Sequence, residues 1–90
     1  MAQDLLKITP EALELQLYKI PAKNLVKMIE DIYEYKWTHG KFFTVDRMKD
    51  IEKKETKILA ELQRRNYFTK KENQQYFDWI KKLNYKKRLY

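Results

Sequence analysis

Cysteine and serine are absent from this chain, glycine occurs once and proline twice. Without cysteine there is no disulfide framework, no thiolate metal site and no thiol nucleophile. One glycine and no serine leave little material for the tight turns that β-hairpins need, which argues against a sheet protein. A single histidine and no glycine-rich loop leave the usual instruments of catalysis missing, so an enzyme is not expected. No apolar run approaches the ~18 residues of a membrane span. The first residues also lack the basic-then-apolar pattern of a secretory leader. A cytoplasmic protein without cofactor or metal is the expectation.

What the chain does hold is charge and aromatic rings. Its 90 residues are 43% apolar and 14% aromatic, enough for a modest core in one domain spanning 1–90. The net charge is +7. Residues 1–40 carry five lysines and six acids, whereas residues 41–90 carry fifteen basic residues and seven acids. Residues 63–90 hold Arg64, Arg65, Lys70, Lys71, Lys81, Lys82, Lys86, Lys87 and Arg88 against only Glu72 and Asp78. Such asymmetry points to nucleic acid or an acidic protein surface, unless it is only a solvated face kept basic for solubility. Lysines outnumber arginines sixteen to four. Lysine is a point charge suited to phosphates, while arginine reads base edges bidentately, so sequence-tolerant binding is expected.

The punctuation along the chain is helical. Thr9-Pro10-Glu11 is a start signal: a capping hydroxyl, a proline at the first helical position and an acid in the first turn. Ile8 and Leu13 are spaced to staple across that cap. Within residues 12–18, Leu13, Leu15 and Leu17 alternate, which is also a strand pattern. The start signal and the lack of a partner strand favour helix. Pro21 disfavours helical geometry at Ile20 and can open a second helix. There Leu25, Met28, Ile29, Ile32 and Tyr33 follow three-and-four spacing, and Gly40 stands where a C′ residue is needed. Thr44 caps a third helix, with Phe43 and Met48 as staple. Met48, Ile51, Glu55, Ile58, Leu62 and Arg65 form its heptad-like stripe, and Asp50–Lys54 and Glu61–Arg65 form acid-first pairs on the outer face. Asn66 is a C′ candidate. Thr69 and Glu72 have the spacing of a capping box for a last helix, whose buried side is read as Tyr76, Phe77, Trp79, Ile80 and Leu83. Residues 84–90 read as a basic tail that either frays or extends this helix. The breaks are short, which makes neighbouring helices antiparallel. The fold expected is all-α, a small bundle of three to four antiparallel helices with short loops.

Two surfaces follow. The basic third interleaves cations with rings, a pattern that places Lys and Arg on phosphates and aromatics on bases. Its nucleic-acid-binding candidates are Arg64, Arg65, Tyr67, Lys70, Lys71, Lys81, Lys82, Tyr85, Lys86, Lys87 and Arg88. Tyr67, Tyr85 and Tyr90 are the rings expected to be exposed. Arg64 and Arg65 also suit the negative end of a helix dipole, and that simpler role competes with phosphate contact. The second surface, Tyr35, Trp37, Phe42 and Phe43, is an apolar cluster for protein interaction. It allows a homodimer, with Glu55 as a polar residue setting register unless it only lies at the margin of an internal stripe. A helix-turn-helix is disfavoured, because the helix after Gly40 is long and its faces are already assigned. The functional expectation is a non-enzymatic nucleic-acid-binding accessory or regulatory protein. The alternative is an adaptor, inhibitor or transcription-machinery modulator that docks an acidic partner.

Overall fold

Among the described residues, four α-helices follow one another in chain order. They are α1 (Pro10–Gln16), α2 (Ala22–His39), α3 (Val45–Arg64) and α4 (Lys71–Arg88), with 3₁₀ turns at Leu17–Lys19 and Tyr67–Thr69. The computed structural model describes residues 7–39 and 42–88, with side chains through Lys82. Gly40 and Tyr90, and the side chains of Leu83, Tyr85, Lys86, Lys87 and Arg88, lie outside the described residues. Among the described residues there is no strand, so the all-α bundle expected from the sequence is what forms.

The helix starts obey the local chemistry. Thr9 is extended (φ −74°, ψ 154°) and its Oγ1 accepts from the Ala12 amide at 3.1 Å. Thr44 repeats this geometry, accepting from the Arg47 amide at 3.1 Å. Ile20 is extended before Pro21 (φ −89°, ψ 129°), as the proline ring demands, and the Pro21 carbonyl receives the first bonds of α2. The strand-like alternation in α1 resolves on helical spacing: Leu13 and Leu17 are buried and Leu15 is exposed.

Thr69 departs from expectation. It does not cap α4; its Oγ1 donates to the Asn66 carbonyl at 2.7 Å. Asn66 takes the left-handed conformation expected of a C′ residue (φ 61°, ψ 28°) and turns the chain into a 3₁₀ turn. That extra turn moves the start of α4 to Lys71, beyond reach of the Thr69 hydroxyl. The Asn73 side chain ties the turn to the helix by donating to the Tyr67 carbonyl at 2.9 Å.

The helices lie in the order α1, α3, α2, α4, with α2 contacting both α3 and α4 and α1 resting on α3. The assembly measures 34 × 29 × 19 Å, and its radius of gyration of 13.0 Å is near the ~12 Å of a folded chain this long. Leu25, Ile29, Ile32 and Tyr33 of α2 meet Ile51, Ile58 and Leu62 of α3, with Leu13 and Leu17 closing one side and Phe77 the other. The stripes read from sequence in α2 and α3 thus supply most of the core, while Met48, Glu55 and Arg65 of the α3 stripe stay outside it.

Lys54 was placed on the outer face of α3, yet it is 1% exposed. The reason is register: it stands three residues after Ile51 and four before Ile58, so it shares their face. Its Nζ lies 2.8 Å from Asp50 Oδ2. Lys36, three residues after Tyr33, is also buried, and its Nζ lies 3.5 Å from Glu55 Oε2 and 5.7 Å from the Tyr33 ring centroid. Glu55 thus has its partner inside the chain. Burial, with the Glu55 carboxylate close by, pushes the Tyr33 phenol well above its ordinary range.

Candidate nucleic-acid interface

The basic third divides by what holds each cation. Glu61 sits one turn before the end of α3. It accepts from Arg64 Nε at 2.9 Å, from Arg64 Nη2 at 2.6 Å and from Arg65 Nε at 2.7 Å. Hydrogen bonds from Arg64 and then Arg65 lower its carboxyl from the ordinary 4.5 to about 2. Arg65 also donates to the Leu17 carbonyl at 2.7 Å, strapping the 3₁₀ turn after α1 to the end of α3. Arg65 is therefore half-buried and committed to structure, while Arg64 stays exposed but shares a carboxylate.

Lys70, Lys71, Lys81 and Lys82 differ. All four are exposed, and among the described residues none has a carboxylate within 4.0 Å. Lys70 and Lys71 flank the N-terminus of α4, where the helix dipole is already positive. Lysines there cost helix stability and add to the local positive field. Lys81 and Lys82 stand about 16 Å further along the helix at 1.5 Å per residue. Lys70 thus precedes α4 and the other three stand on it, while Arg64 and Arg65 share the Glu61 carboxylate at the end of α3.

The rings are distributed differently from the sequence reading. Tyr67, expected to be exposed, is half-buried and meets Phe68 edge-on at 5.5 Å and Phe77 at 6.2 Å. Phe77 is 3% exposed and Ile80 is half-buried, as expected of the core side. Tyr76 and Trp79, assigned to that side, are exposed, Trp79 at 59%. The cause is that α4 packs mainly on α2 and the 3₁₀ turn, so that among the described residues its covered stripe is Asn73, Phe77 and Ile80. Burial, with the Glu30 carboxylate of α2 as a lesser cause, raises the Tyr76 phenol. Its ring centroid lies 6.4 Å from that of Trp79, with the planes tilted by 32°.

The second surface also divides. Tyr35 is half-buried and stacks between His39 at 4.6 Å and Phe43 at 5.1 Å, with Arg47 over Phe43 at 5.7 Å. Trp37 and Phe42 remain on the surface, 46% and 75% exposed.

A shallow cleft between α1 and α3 is lined by Glu11, Lys49, Glu52, Lys53 and Lys57. Its charges are mixed, and Lys57 pairs with Glu14 at 3.0 Å. Among the described residues, no three His, Asp or Glu side chains converge to hold a metal, and no helix is long and apolar enough to cross a membrane. No protein family, curated protein or solved structure matches this chain.

Proposed function

We propose that this protein is a non-enzymatic nucleic-acid-binding accessory or regulatory protein that engages phosphates through α4. The observation that carries the reading is the set of four exposed lysines, Lys70, Lys71, Lys81 and Lys82, with no carboxylate partner among the described residues. Their charge is available to a polyanion, whereas that of Arg65 and Lys54 is already spent inside the fold. Lysine-to-phosphate contact is sequence-tolerant and strongly salt-dependent, because binding releases condensed counterions. The test is anisotropy of labelled oligonucleotides at about 50 and 200 mM salt. Affinity should fall steeply between the two salts, and changing all four lysines to glutamine should flatten the log–log slope by about 3 units. Absence of binding at the lower salt rejects the reading.

The exposed Trp37 and Phe42 favour a second reading, a protein-interaction module. Exposed large rings at a helix corner are the residue types that anchor protein interfaces. Trp37→Ala with Phe42→Ala should then abolish partner capture while oligonucleotide binding persists.

A further inference from the structure

Trp79 is exposed on the side of α4 that carries Lys71 and Lys82, while Lys81 stands on the opposite side. At 100° per residue, Gln75, Lys82 and Lys71 fall on the same side of α4 as Trp79, at i−4, i+3 and i−8. Phe77, which enters the core, lies on the far side. The indole is not loose on this face. The Tyr76 ring stands beside it at 6.4 Å. One flank of the indole is therefore covered, and the rest of this side carries Lys71 and Lys82 together with the acids Glu72, at i−7, and Asp78, at i−1.

We infer that α4 selects single-stranded over duplex nucleic acid, with the Trp79 indole stacking on an unpaired base while Lys71 and Lys82 hold flanking phosphates. This rests on the nucleic-acid reading above and specifies its ligand. In a duplex each base is already stacked on both faces, so a protruding indole gains a partner only by unstacking a step. An unpaired base offers its π-face at no such cost, and every base has one, which suits a lysine-based, sequence-tolerant site.

The experiment uses the full chain with Trp37→Phe, so that Trp79 is the sole indole. A labelled oligothymidine of about 20 nucleotides and a duplex of equal length are titrated, with anisotropy and indole emission read together. The expected result is tighter binding of the single strand and quenching of the indole by it. Trp79→Ala should then weaken the single strand about 5- to 100-fold and leave the duplex within about 2-fold, while Trp79→Phe recovers most of the loss. Equal affinity for the two forms overturns the inference and leaves phosphate binding standing. So does an equal weakening of both forms by Trp79→Ala, or no weakening of either. No binding of either oligonucleotide at low salt overturns both readings together.

Discussion

Lysine has two fates in this molecule. In the seam between α2 and α3, Lys36 and Lys54 lose their water and are matched by Glu55 and Asp50. At the entry to α4 and along it, Lys70, Lys71, Lys81 and Lys82 keep their water and have no carboxylate partner among the described residues. The seam lysines serve the fold: their four-carbon stems fill apolar space and their ammonium groups require a carboxylate. The α4 lysines contribute little to folding and leave their field outside. Net charge alone does not separate these roles. A basic chain advertises a polyanion only to the extent that its cations are unspent.

The comparison can be broken first at Glu55, which serves Lys36 and faces the Tyr33 phenol in a water-poor site. Glu55→Ala should cost about 3 kcal/mol, because it strands a buried ammonium, as urea unfolding would measure. Asp50 is more exposed than Glu55, so Asp50→Ala should cost about 1–2 kcal/mol. Lys54→Met, which keeps the stem and deletes the charge, should stay within about 1 kcal/mol of the parent; a larger loss would show that the charge itself is needed.

Glu61 sharpens the contrast through pH. Its folded carboxyl lies near 2, below the ordinary 4.5, so its pairs contribute fully above about pH 4.5 and the contribution drains as pH falls toward 2. Glu61→Gln should therefore lower Tm by about 5 °C at neutral pH, and the gap to the parent should close in acid. A gap that is constant with pH would assign the effect to packing. At the small end, glutamine at Lys70, Lys71, Lys81 and Lys82 together should leave stability within about 0.5 kcal/mol while weakening oligonucleotide binding.

Much of this fold is legible in local chemistry. Thr9 and Thr44 cap, Pro21 breaks, and Asn66 turns left-handed because each side chain or ring constrains its own backbone. The apolar stripes of α2 and α3 identify the core because both helices are covered along their length. What resisted reading was tertiary. The α3 stripe accepts position 54 or 55 equally by spacing, and the packing admits both. Phe68-Thr69 copies Phe43-Thr44 in sequence, but a 3₁₀ turn intervenes and the capping role is lost. Tyr76 and Trp79 look like core by period, but the side of α4 that enters the core is the one holding Phe77, and they stand off it. The candidate site shares that origin: its lysines are visible in composition, but its ring is not.

The placement of α4 at the edge of the helix row carries a consequence for motion. Among the described residues it gives the buried core a single side chain, Phe77, while α2 and α3 each give three or more. Opening α4 therefore exposes far less apolar surface than separating α2 from α3. Its amides should exchange with deuterium by detachment of this one helix, at a free energy well below that of global unfolding. The fold then has a hierarchy, a slow-exchanging pair in the middle and a fast-exchanging helix at the rim. A ligand held on α4 would slow exchange there first, and the α2–α3 pair would register it last.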